Sequence, residues 1–137
     1  MNYKILSKFI KNLNFNIDDQ KEFAQLSKNI SNYKINLDIK SKQIQKKIIE
    51  VEISLYLKEK NTEKILTKLI YSTLIELSNL EIKREVLEKI ILIEIPKKVY
   101  ADMRNIFIFL FESSGFKNVK IDQGVDFEKL YKSRKIQ

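Results

Sequence analysis

Cysteine and histidine are both missing from this chain, and glycine and proline are nearly so, at two residues and one. Without thiols there are no disulfides and no thiol chemistry, and without imidazole the commonest metal ligand and general base is gone. Gly115 and Gly124 stand alone, so no glycine-rich phosphate loop can be assembled. Long apolar runs are absent too: the greasiest stretch, residues 90–95, falls far short of the roughly 20 residues that cross a bilayer. Residues 1–15 keep returning to Lys and Asn and never sustain the apolar segment of a secretory leader, so a cytosolic location without membrane insertion is expected. Carboxylates do neighbour one another, Asp18 with Asp19 and Glu50 with Glu52, but no nucleophile accompanies them and they read as solvated surface charge. The expectation is a binding protein and not an enzyme, with no cofactor and no metal.

What is present describes one folded domain. The 137 residues are 44% hydrophobic and 32% charged, a balance that suits a packed core better than a disordered chain. A net charge of +8 invites a nucleic-acid reading, since clustered Lys and Arg release counterions from phosphate. The lysines are instead scattered through every segment and interleaved with 18 acids, and a chain so rich in Lys, Ile and Asn also fits a coding bias. No nucleic-acid partner is expected; a basic binding module stays as the alternative, and it requires the positive charge to gather on one face.

Hydrophobic period supplies the boundaries that glycine and proline do not. Leu13, Phe15 and Ile17 alternate with Asn12, Asn14 and Asn16, which predicts a first strand within residues 2–17. Residues 18–32 are polar but carry Phe23, Leu26 and Ile30 at helical spacing, as in a short helix or a tethered connector. Tyr33, Ile35, Leu37 and Ile39 alternate with polar partners, as do Ile49, Val51, Ile53, Leu55 and Leu57 after them. A turn at Lys60, Asn61 and Thr62 leads into Ile65, Leu69, Tyr71, Ile75 and Leu77, predicting a hairpin and four antiparallel strands in all.

The period then becomes helical. Leu80, Val86, Leu87, Ile90 and Ile91 predict a helix capped by Ser78 or Asn79. Pro96 is expected to end or kink it and to open a long helix through Val99, Tyr100, Met103, Ile106, Phe107, Leu110 and Phe111, stopped by Gly115. Asp126 is placed to cap a last short helix bearing Phe127, Leu130 and Tyr131. The fold class is α+β: a four-stranded antiparallel sheet with one face covered by helices.

The apolar inventory exceeds what one or two helices on one sheet face must cover. Ordinary core or a dimer seam accounts for the surplus equally well on pattern alone. The functional reading is a greasy groove beside residues 18–32. Such a groove would bind extended apolar segments with little sequence preference, at about 25 cal/mol per Å² buried, several weak pockets adding by avidity.

Order and motifs together resemble a known family. Residues 7–15, Ser-Lys-Phe-Ile-Lys-Asn-Leu-Asn-Phe, resemble the opening strand of the SecB export chaperones, where a tyrosine-hydrophobic-lysine-aspartate segment leads into an aromatic. Lys34-Ile35-Asn36-Leu37-Asp38-Ile39 is similar to that family's second strand, and Ile49-Glu50-Val51 to the start of its third. Pro96, Val99, Tyr100 and Arg104 resemble its helix-opening motif, and Gly115-Phe116, Ile121-Asp122, Asp126-Phe127, Leu130 and Tyr131 its carboxy-terminal signature. The likeness spans nearly the whole chain. It implies a homotetramer, a dimer of dimers, that holds unfolded precursors ready for export without nucleotide hydrolysis.

That resemblance also implies sites. A client groove carries over onto Phe15, Phe23, Leu26, Ile35, Leu37, Ile39, Phe127 and Leu130, and an oligomer interface onto Tyr100, Met103, Arg104 and Phe107. The family docks its motor ATPase, SecA, through acids on the exposed sheet face, and the matching positions here are Asn12, Asn16, Leu66 and Lys68. The acidic tail of many members is replaced by Lys132, Arg134 and Lys135. Docking of SecA is thus expected to be weakened or inverted, and a client outside export, such as an antitoxin, is the other expectation.

Overall fold

A computed structural model describes residues 2–29, 33–59, 65–117, 121 and 124–136. Strands β1 (Tyr3–Phe15), β2 (Tyr33–Gln43), β3 (Ile48–Glu59) and β4 (Ile65–Leu77) form one antiparallel sheet in the order β1-β4-β3-β2. The turn expected at Lys60, Asn61 and Thr62 lies outside the described residues. Between β1 and β2 the chain forms helix α1 (Gln20–Asn29), whose path joins the two opposite edges of the sheet. Its start is closed by Asp19, whose Oδ1 accepts from the Glu22 amide at 2.8 Å, while Glu22 accepts in return from the Asp18 amide at 3.0 Å.

Alternation decides which sheet face is dry. Val51 lies opposite Thr73, Ile53 opposite Tyr71 and Leu55 opposite Leu69, and all six are buried beneath the helices. The covering helix is α3 (Ile95–Ser113), whose Ile95, Val99, Met103, Phe107 and Phe111 recur every four residues and are fully buried or nearly so. It runs in the direction of β1: Lys98 sits 4.8 Å over the Tyr3 ring, Lys8 pairs with Asp102 at 3.2 Å, and Phe15 meets Phe111 edge-on at 5.3 Å. Gly115 stops it at φ +95°. The Phe116 amide bonds the Phe111 carbonyl and the Gly115 amide that of Glu112, and the rings of Phe111 and Phe116 pack 5.4 Å apart, a complete Schellman closure.

Two local expectations are corrected. Neither Ser78 nor Asn79 caps a helix: Asn79 Oδ1 accepts from Glu81 only two residues on, a turn that carries the chain off β4, and α2 (Arg84–Lys89) starts from Lys83 without a side-chain cap. Pro96 stands in the first turn of the long helix as expected, but it does not end the helical path before it. A π-helical turn, Ile90–Glu94, joins α2 to α3, and the Ile95 amide bonds five residues back to Ile90. The wider turn leaves room for the proline ring, which otherwise meets the carbonyl four residues earlier. Burial of Ile90 and Ile95 overrides the strand preference of this isoleucine-rich stretch. Helix α4 (Phe127–Ile136) closes the chain, capped as expected by Asp126 Oδ1 on the Lys129 amide at 3.0 Å.

The sheet's other face is wet and carries one buried charge. A register shift between Ile10 and Asn12 turns Lys11 onto this face, where its Nζ reaches Glu50 at 3.2 Å and also meets Glu52. Glu50 is buried, and its Oε2 accepts from Ser72 Oγ at 2.7 Å. The Ser72 hydrogen bond, then the Lys11 ammonium, hold the Glu50 carboxyl below its usual range against the opposing pull of burial.

Two outcomes follow for stability. A folded-state carboxyl pKa below the unfolded one adds stability above the unfolded value and loses it as pH falls through the folded value. Urea midpoints of the native chain should therefore drop as pH goes from the ordinary carboxylate range down through the lowered Glu50 value, and E50Q should flatten that drop; S72A should cost about 1.5–3 kcal/mol at neutral pH. G115A should cost about 1–2 kcal/mol in the same assay, because a left-handed residue gains a Cβ that meets Phe23 at 3.4 Å.

Candidate functional site

The residues expected in a client groove fall at two places along one row. Ile35, Leu37 and Ile39 point from β2 to the helix side and are half-buried, because β2 is an edge strand and α3 lies over the inner strands. At one end Leu37 and Ile39 share a cavity of about 70 Å³ with Phe127 and Leu130 of α4, together with Leu92 and Tyr131. Phe127 is buried and packs 6.1 Å from the Tyr100 ring, whereas Leu130 is 47% exposed at the rim. Tyr131 hydroxyl donates to Glu88 at 3.1 Å and Lys97 pairs with Glu128 at 3.4 Å, so α4 rests on α2 and α3 through a few polar ties and two rings.

At the other end stand Phe15, Phe23 and Leu26. Across the sheet Phe15 is level with Ile35, through Thr67 and Leu57. The Phe23 ring lies 4.9 Å from Phe116, which continues through Phe111 to Phe15, and Leu26 is buried. These three side chains fasten α1 to the end of α3 and do not line the cavity beneath α4. Leu92 and Tyr131 were missed as lining residues: Leu92 sits in the π-helical turn, whose i,i+5 spacing no 3.6-residue pattern anticipates.

On the wet face the structure brings Asn12, Asn16, Leu66 and Lys68 together. They line one concavity of about 530 Å³ that also takes in Asn14 and Ile70. Asn12 lies opposite Ile70 and Asn14 opposite Lys68, so the amides form a row along the β1 edge. Asn16 Nδ2 donates to Asp18 at 2.9 Å, and Asp18 and Glu22 at the rim are engaged in the start of α1.

The residues expected at an oligomer interface are engaged within the protomer. Met103 and Phe107 are buried in the protomer's own core, Tyr100 is buried with its ring 6.1 Å from that of Phe127, and Arg104 Nε donates to the Ile121 carbonyl at 3.0 Å. Met103 and Phe107 belong to the four-residue stripe on the inner face of α3. The outer side of the same helix and the adjoining edge strand expose Phe109, Ile10 and Leu13. Among the described residues no cluster of acidic side chains could hold a metal ion, and no helix is long and apolar enough to cross a membrane.

Substitutions in α4 separate packing from surface. F127A should undock the helix, lowering the protection of its amides to hydrogen exchange by about 3 kcal/mol while β3 and β4 keep theirs. L130S, at an exposed position, should change stability by less than about 0.5 kcal/mol.

Comparison with known proteins bears on these surfaces. The family model described as preprotein translocase subunit SecB matches residues 1–137. A Pelagibacter ubique protein, provisionally named a protein-export protein SecB, is 33% identical over 135 residues, spanning 97% of this chain and 96% of that one. Among solved structures, a SecB-like chaperone of Mycobacterium tuberculosis, in complex with a peptide from the HigA1 antitoxin, superposes with a TM-score of 0.63 at 10% identity, over 88% of this chain and 90% of that one.

Proposed function

The chain belongs to the SecB family, and on that footing we propose that it is a cytoplasmic holdase chaperone that grips unfolded polypeptides along β2 and keeps them competent for export. One observation carries the reading: Ile35, Leu37 and Ile39 form a half-buried apolar row on an edge strand, running from α1 to the cavity beneath α4. An extended client lays alternate apolar side chains into such a row and its backbone against the open edge. Burial supplies the affinity, so no nucleotide is consumed.

The assembly is a homotetramer, built as a dimer of dimers. Phe109, Ile10 and Leu13, exposed along the side of α3 and the β1 edge, supply an apolar seam for it. On the wet face, Asn12, Asn16 and Lys68 stand at the positions that the resemblance matches to the family's docking acids, so a basic SecA tail meets amides and an ammonium there, with Asp18 and Glu22 only at the rim. That change favours, as a second reading, a client outside export, an antitoxin among them.

Three measurements check this. The purified chain should delay aggregation of an unrelated unfolded protein at one tetramer per client without ATP, and no delay contradicts the holdase reading. Light scattering should give a tetramer mass that F109D reduces. Calorimetry with a basic SecA tail peptide should show little heat; tight, salt-sensitive binding would contradict the altered docking face.

A further inference from the structure

The β2 edge is not electrically neutral. Beyond Ile39 it continues through Lys40 and Lys42 into a turn that holds Lys46 and Lys47, all four exposed. Among the described residues none of them forms an ion pair, whereas Lys4, Lys8, Lys11, Arg84, Lys89 and Lys97 each do. Lys11 pairs with both Glu50 and Glu52, so one ammonium serves two carboxylates, and Lys42 lends further charge to Glu50. Asp38 is the single acid within β2, and across the strand pair Glu52 faces Lys40 but is engaged by Lys11. Around the α4 cavity the acids are likewise engaged: Glu85 with Lys89, Glu88 with Arg84, Glu128 with Lys97. Lys40 and Lys42 share the wet face with Glu52 and Glu50, and Lys46 and Lys47 stand in the turn; these four with Lys11 outnumber the three acids Asp38, Glu50 and Glu52, so positive charge is in excess at the end of the apolar row that meets the β2–β3 turn.

We propose that this lysine rim selects clients, so that the segments bound most tightly are extended apolar stretches whose flank at the turn end is acidic. The inference rests on the holdase reading and adds its specificity. At ~3.3 Å per residue, an extended segment of roughly nine residues that starts beside Ile35 ends among these lysines. A carboxylate there meets lysines that form no ion pair among the described residues, and a basic flank meets repulsion. The same lysines disfavour a second copy on this edge, because two β2 strands side by side bring like charges together. The edge thus rejects itself and admits a chain of opposite charge.

The test uses the full chain and three fluorescent peptides that share one apolar extended core and differ only in flanks: Asp/Glu, Ser/Gly or Lys/Arg. At about 50 mM salt the acidic-flanked peptide should bind at least tenfold more tightly than the basic-flanked one, and the ratio should shrink toward one near 0.5 M. K40Q/K46Q/K47Q should abolish the preference and leave the Ser/Gly peptide's affinity unchanged; Lys42 stays because it helps hold Glu50 ionised. K4Q/K21Q/K117Q removes the same charge away from β2 and should keep the preference. Equal affinity for all three peptides overturns the rim's role while leaving the holdase reading intact, and a preference lost equally in both variants assigns it to net charge and overturns the rim as well. Self-association of K40Q/K46Q/K47Q with no change in peptide preference reduces the lysines to edge protection and overturns the proposal. Failure of every peptide to bind removes the holdase reading and this inference together.

Discussion

Everything in this molecule depends on one contact, the four-residue stripe of α3 pressed onto the inner strands of the sheet. Ile95, Val99, Met103, Phe107 and Phe111 dry β3 and β4 almost completely. A single helix about 10 Å wide cannot also cover both outer strands of a four-stranded sheet whose strands lie about 4.8 Å apart. The remaining cover comes from α1 at one end and α4 at the other, and between them the β2 row stays half open. The candidate binding surface is what the packing leaves over once the core is closed.

The two sheet faces then divide the work by chemistry. The helix side offers apolar depth along an open edge, suited to chains that have not buried their own apolar side chains. The wet side offers amides, lysines and the Lys11–Glu50–Ser72 network, which ties the β1 bulge to the neighbouring strands. The bulge aims Lys11 at Glu50 and so ties β1, an edge strand exposed over most of its length, to β3 across β4. A distortion of the edge strand and the buried carboxylate beneath it are parts of one device.

Much of this was legible beforehand because the signals were periodic. The alternation of Ile35, Leu37 and Ile39, and of residues 49–57, can bury one face only as strands, and the recurrence from Val99 to Phe111 only as a helix. Gly115 and Asp126 were legible as stop and cap because each acts within its own turn. Other features depend on tertiary context. The π-helical turn at Ile90–Glu94 rests on burial of Ile90 and Ile95 and on room for Pro96, which no local pattern encodes. Met103 and Phe107, which the family resemblance offered as interface, sit in the protomer's own core, a placement that depends on the sheet beneath them. Leu92 and Tyr131 join the cavity only because α4 folds back over the π-helical turn.

The central claim is that an unfolded chain is held along β2. Methyl spectra of the Ile- and Leu-labelled protein, recorded as an unfolded client is added, test it most directly. Ile35, Leu37, Ile39 and Leu130 should shift or broaden first, while Val51, Leu55 and Leu69 in the sealed core stay in place. Shifts confined to Leu66 and Ile70 on the wet face, with the β2 methyls unmoved, would contradict it.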